Sequence, residues 1–220
     1  TGRKGPVLID LPMNIQRSEV ENPVYDMIFE DKHTDTAAAR HAADTILEAL
    51  EHAKRPVIML GHGVDSHAAQ QELISFAQKR QIPIITSVLA KSVLGYDNPL
   101  NFGCIGGAYG HRYANMIANA KSDLLLCFGI SLCTRQIGTK VYEFAKNAKI
   151  IRVDIDQYNL QRNIHENGKD EVKLQAETGA VIDCLAKAAF QEKDVTGDWL
   201  NVCTEIKENL QAVDDNTPER

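Results

Sequence analysis

Arg55-Pro56-Val57-Ile58-Met59-Leu60-Gly61-His62-Gly63 is the stretch on which the fold turns. Pro56 stops any helix before it, because its ring crowds the preceding residue and it has no N–H to give an interior turn. Val57 to Leu60 is apolar without polar alternation, which is how a strand buried on both sheet faces reads. Gly61 and Gly63 then permit a tight turn. Helical signal stands on either side. Upstream, Thr36 is placed to cap Ala37 to Ala53, with Ala39, Ala42, Ala43, Ile46, Leu47 and Leu50 at spacings of three and four. Downstream, Ser66 to Lys79 turns Leu73, Phe76 and Ala77 inward.

The alternation continues outward. Ile82-Pro83-Ile84-Ile85-Thr86, Leu124 to Phe128, Ile150 to Ile155 and Val172 to Leu174 read as strands, and Tyr113 to Ala120, Val141 to Ala145 and Thr178 to Phe190 as helices. Strands separated by helices make β-α-β units and a parallel sheet covered on both faces. The expectation is a doubly wound, Rossmann-like α/β domain over residues 36–190. Gly5 to Pro12 reads as a strand in need of a sheet, so residues 1–17 are expected to be the end of a preceding domain. Residues 18–35 and 191–220 read as linkers, the second carrying one amphipathic stretch from Trp199 to Leu210. Neither an internal repeat nor a low-complexity segment stands out.

Composition narrows the class. The 220 residues are 44% hydrophobic and 25% charged, which supplies a core and excludes a largely disordered chain. No apolar run approaches the length of a bilayer span. A net charge of −6 and an aromatic content of 6% argue against a nucleic-acid surface or a base-stacking platform. Five cysteines, an odd count without Cys-x-x-Cys spacing, point to a reducing, cytoplasmic setting rather than a disulfide framework. The seven histidines form no His-x-x-x-His array, so no metal site is expected, and no residue stands out as catalytic.

Four clusters are candidates for binding. Gly61 and Gly63 form a partial dinucleotide fingerprint, with Ser66 where the third glycine belongs; the bland alternative is a turn without ligand. Gly107 and Gly110 sit in the glycine-rich run Gly103 to Arg112, where backbone approaches a ligand or another chain, or simply forms a loop. Arg135, with Ser131 and Thr134, follows a strand end, where open α/β sheets place their ligands. Asp154 and Asp156 end a strand and serve either a ribose or the cap of the next turn. Lys91 is a weaker candidate of the same kind.

Taken in order, these segments resemble the central domain of thiamine-diphosphate enzymes of the acetolactate synthase type. Gly5 to Pro12 is similar to the end of that family's pyrimidine-binding domain, and Arg55 to Gly63 to the opening strand and turn of its central domain. Ile82 to Lys91 is similar to the second strand and its loop. Gly107 to Asn115 resembles a Gly-x-His-Gly-Thr stretch ending in Ala-Asn, Ala120 to Gly129 the strand that follows, and Val153 to Asp156 the family's Ile-Asp-Ile-Asp. The resemblance implies flanking domains, one with the catalytic glutamate and one with the Gly-Asp-Gly motif for Mg2+ and diphosphate. It also implies a homodimeric or tetrameric parent acting on 2-keto acids, with FAD or another ADP-containing molecule bound here in some members. Where the family usually shows Gly-Ala-Arg-Phe-Asp-Asp-Arg, this chain has Gly129-Ile130-Ser131-Leu132-Cys133-Thr134-Arg135 and keeps only the last arginine. Each lost charged partner removes about 1.5–3 kcal/mol of ligand binding. Two other functions stay open on residues alone: a free-standing FAD-, ADP- or NAD-binding module, and a ligand-free oligomerisation scaffold.

Overall fold

The computed structural model describes residues 5–19, 35–107, 109–188 and 197–211. The chain divides into two units, Thr1–Thr34 and Asp35–Arg220. The first holds a four-residue helix, α1 (Met13–Gln16). Residues 5–12, expected as a strand, form none: a strand exists through its ladder partners, and these residues have none among the described residues. The expected 18–35 linker lies almost wholly outside the described residues.

The second unit opens with α2 (Thr36–His52). Its cap is Asp35, one residue before the expected Thr36; the carboxylate accepts from the amides of Ala37 and Ala38, both at 3.0 Å. The alanine-rich stripe is buried as its spacing requires. There follow β1 (Pro56–Leu60), α3 (His67–Arg80), β2 (Ile84–Thr86), a 3-10 turn (Val88–Val93), β3 (Asn101–Cys104), α4 (Arg112–Met116) and a π-helical turn (Ile117–Lys121). The second half runs β4 (Leu124–Phe128), α5 (Thr134–Ile137), β5 (Lys149–Asp154), α6 (Gln157–Gln161), β6 (Glu171–Gln175), α7 (Thr178–Lys187) and α8 (Gly197–Gln211). The last two residues of the helix expected to Phe190 lie outside the described residues.

All six strands are parallel, in the order β3-β2-β1-β4-β5-β6. One core packs α2, α3 and α7 on one face, around Ile58, Leu60, Leu126 and Val181. The other packs α4 and α8 on the opposite face, around Met59, Leu125, Cys127 and Ile150. Both faces are therefore covered, which is why β1 and β4 are apolar at every position.

Beyond residues 5–12 and the cap of α2, the structure departs from the sequence reading in four further places. Pro83 has no N–H to give, so β2 starts at Ile84, while the Pro83 carbonyl accepts from Ile58 at 3.0 Å. The sequence reading missed β3: it is short and irregular, pairing Ile84 with Asn101 but Thr86 with Cys104, so two steps on β2 face three on β3. Val141 to Ala145, expected as a helix, makes only a 3-10 turn over Val141–Glu143. Finally, part of the expected 191–220 linker is α8, whose Trp199 and Cys203 are buried on the sheet. The Trp199 indole N–H donates to the Pro56 carbonyl at 3.0 Å and ties the helix to β1.

Candidate functional site

The chain crosses from edge strand β3 to central β4, so β1 and β4 are neighbours whose connections leave in opposite directions. Open α/β sheets bind ligands at the carboxyl ends of such a pair. Here that crevice is filled by backbone. The Gly61 amide donates to the Phe128 carbonyl and the Gly63 amide to the Gly129 carbonyl, both at 2.9 Å. A Cβ on Gly61 would lie 2.0 Å from the Gly129 oxygen, and one on Gly63 2.7 Å from the Gly129 Cα. Gly129 itself takes φ +55°, a conformation that favours glycine. The Thr178 hydroxyl holds the Gly63 carbonyl at 3.1 Å. The two turns are thus welded together, and the Gly61 and Gly63 amides are spent on the end of β4 and the turn after it.

Gly107 and Gly110 lie beside this crevice after β3. A Cβ on Gly110 would meet the Gly106 nitrogen at 2.3 Å, whereas Gly107 faces open space. The Asn115 amide clamps Gly106 at both ends, accepting from its N–H at 3.2 Å and donating to its carbonyl at 2.7 Å. The Gly107 N–H donates to the Arg135 carbonyl at 3.2 Å, which joins this loop to α5. The His111 Nδ1 accepts from the Cys104 amide at 3.0 Å, and its ring lies 4.9 Å from that of Tyr113. Burial, seconded by Lys91, holds the His111 imidazole below its ordinary pKa and favours the neutral ring.

Asp154 and Asp156 serve the turn between β5 and α6. Asp154 accepts from the Asp156 amide at 2.8 Å and the Asn159 side chain at 2.9 Å, and Asp156 caps α6 by accepting from the Tyr158 amide at 2.9 Å. Arg135 and Arg112 are exposed on the carboxyl rim, their guanidinium groups making no hydrogen bond or ion pair among the described residues. The sequence candidates therefore gather at one edge of the sheet, with their amides and carboxylates turned inward and two guanidinium groups outward.

Beneath the rim lies a buried charge cluster that the sequence reading did not single out. Arg152 donates to the Arg162 carbonyl at 2.6 Å and the Asn159 carbonyl at 2.5 Å. Glu171 accepts from the amides of Ile164 and His165. The two side chains, 2% and 0% exposed, form an ion pair at 3.8 Å, and the Arg152 Nε and Glu171 Oε2 have no hydrogen-bond partner among the described residues. Arg162 in turn donates to the carbonyls of Ser131 and Leu132, both at 2.6 Å, and so fixes the loop before α5. The signal in the sequence was a charged residue inside an apolar strand, Ile150-Ile151-Arg152-Val153. Burial pushes the Cys127 thiol, in register with Arg152 on β4, up to about 12.

Among the described residues, no three His, Cys, Asp or Glu side chains converge to hold a metal ion. In the β1/β4 crevice the Gly61 and Gly63 amides are bonded to the end of β4 and the turn after it, and Asp154 and Asp156 hold the turn into α6. No helix among the described residues is long and apolar enough to cross a membrane.

A doubly wound α/β domain with a closed switch point is the class this geometry defines. Residues 43–185 match the family described as "Thiamine pyrophosphate enzyme, central domain", and the chain belongs to that family. It is 37% identical to the acetolactate synthase isozyme 1 large subunit of Escherichia coli K12, over 73% of this chain and 27% of that protein. It is 30% identical to a glyoxylate carboligase of Escherichia coli O157:H7, over 96% and 35% respectively. With a probable acetolactate synthase large subunit of Methanocaldococcus jannaschii the identity is 31%, over 94% and 35%. The chain thus spans about a third or less of the length of these relatives.

Proposed function

We propose that this chain is the scaffold-forming central domain of a larger thiamine-diphosphate-dependent enzyme that decarboxylates a 2-keto acid and joins the product to a carbonyl acceptor. In that reaction class the thiazolium of the cofactor supplies the electron sink for the carbanion. The observation that carries the scaffold role is the backbone closure of Gly61 and Gly63 on Gly129, which commits both amides of the partial fingerprint to the chain's own backbone. The reaction class rests on the names of the relatives, acetolactate synthase and glyoxylate carboligase. The flanking domains carry the catalytic glutamate and the Mg2+–diphosphate site; this domain sets their spacing within a homodimer or tetramer. Five cysteines free of disulfides favour a cytoplasmic setting.

The test uses the full-length protein with thiamine diphosphate and Mg2+, following CO2 release from pyruvate and from glyoxylate. Turnover of either by the full-length protein, with none by residues 1–220, supports the reading; catalysis by residues 1–220 overturns it. Light scattering of the full-length protein reads the oligomer, and a monomer removes that part. A second reading, a nucleotide held on the rim rather than in the crevice, is favoured by the exposed Arg112 and Arg135. Calorimetry with ADP, FAD and NAD tests it, and binding that survives Arg135→Gln unchanged argues against it.

A further inference from the structure

The end of the sheet opposite the glycine turns carries an open groove of about 450 Å3 between α8, the π-helical turn and the start of β1. Its volume falls in the range of ligand sites, roughly 300–1,000 Å3. We propose that it binds a small organic anion, the charged head against Lys54, Arg55 and Lys121 and the apolar body over Trp199 and Val202.

The wall chemistry points to that class. Three cations and one acid, Asp198, line the cavity in a chain whose net charge is −6. The ammonium groups of Lys54 and Lys121 are exposed and make no hydrogen bond or ion pair among the described residues. Arg55 is held in place, its Nε donating to the Lys121 carbonyl at 2.5 Å, which leaves the terminal amino groups for a ligand. The Asp123 carboxylate accepts from the backbone amides of Lys54 and Arg55 at 2.9 and 2.8 Å and fixes the chain entering β1. The floor is rigid, because the Trp199 indole is 4% exposed and bonded to Pro56. Val202, 41% exposed, continues the apolar surface outward. Lys121 closes the π-helical turn, a rare conformation found often at functional sites. A head group alone meets screened surface charge; an apolar body adds desolvation of the exposed Val202 side chain, so the site selects organic anions over inorganic ones.

Trp199 is the sole tryptophan in the sequence, so its emission reports the cavity directly. The 220-residue chain is titrated with phenyl phosphate and, separately, with inorganic phosphate. The expected result is a saturable emission change with phenyl phosphate, Kd about 1 mM or below, and binding of inorganic phosphate about tenfold weaker or more. Lys54→Ala/Lys121→Ala, both exposed positions, weakens phenyl phosphate at least about tenfold with an unchanged circular dichroism spectrum, and Asp198→Asn tightens it. The proposal is overturned by the absence of a saturable change, by equal affinity for the two probes, or by a double variant that binds like the parent chain.

Discussion

Replacing Gly61 by alanine tests the closed switch point. The new methyl would sit 2.0 Å from the Gly129 oxygen and 2.5 Å from both the Gly129 carbonyl carbon and the Ile130 Cα, all backbone atoms with no rotamer to escape into. Reaching ordinary contact of 3.4 Å requires the two turns to part by about 1.4 Å. Such a movement breaks the Gly61–Phe128 and Gly63–Gly129 hydrogen bonds, both 2.9 Å in the native chain. Overpacking costs about 1–3 kcal/mol and each buried hydrogen bond about 1 kcal/mol, so the expected loss is about 3–5 kcal/mol. That is a large share of the roughly 5–15 kcal/mol by which a domain is stable. Urea denaturation followed by circular dichroism measures it. Gly95→Ala is the control: nothing lies within 4 Å of its Cβ position, and its change should stay within about 0.5 kcal/mol. A Gly61→Ala protein as stable as the control, but weaker for ADP, would refute the packing argument and restore the turn as a phosphate site.

Glu171→Gln keeps an acceptor for the amides of Ile164 and His165 but leaves the Arg152 charge uncompensated, so it should cost about 3–5 kcal/mol. Adding Arg152→Met should cost less than the two single losses together, and strict additivity in a double-mutant cycle would argue against the coupling. Native thiol labelling should reach at most Cys133 and Cys184, because Cys104, Cys127 and Cys203 are buried; all five should react in denaturant, and a third native thiol would count against the packing of α8 or β4. His111 contributes to stability through its depressed pKa. As pH falls below about 6.5 the unfolded chain takes up the proton before the folded one, so stability present above that value declines. His111→Asn should flatten this part of the stability profile, and an unaltered slope between pH 7 and 5 would assign it elsewhere.

The chain's own order of residues determined much of this architecture. Apolar strands without alternation, Val57 to Leu60 and Leu124 to Phe128, pair only in a sheet covered on both sides, so the parallel, doubly wound class was legible before any coordinates. The alanine stripe of α2 was equally plain, since a repeat of three and four leaves one buried face. Weakly patterned elements escaped: β3 is four residues with a glycine at φ +73° and a bulge, and its strand character comes from β2 beside it rather than from its side chains.

Sequence could narrow the candidate residues to one edge of the sheet but not say which way their groups face. Gly61 and Gly63 read alike whether they leave room for a phosphate or for the backbone of Gly129, since glycine is demanded by close approach whatever does the approaching. Asp154 and Asp156 read alike as ribose acceptors or as caps, and only the positions of the Asn159 side chain and the Tyr158 amide show that they hold the turn. The Arg152–Glu171 pair and the cavity under Trp199 needed the fold for the same reason. Each is made by residues 19 or more positions apart in the chain, and their chemistry exists only once the sheet and α8 bring them together.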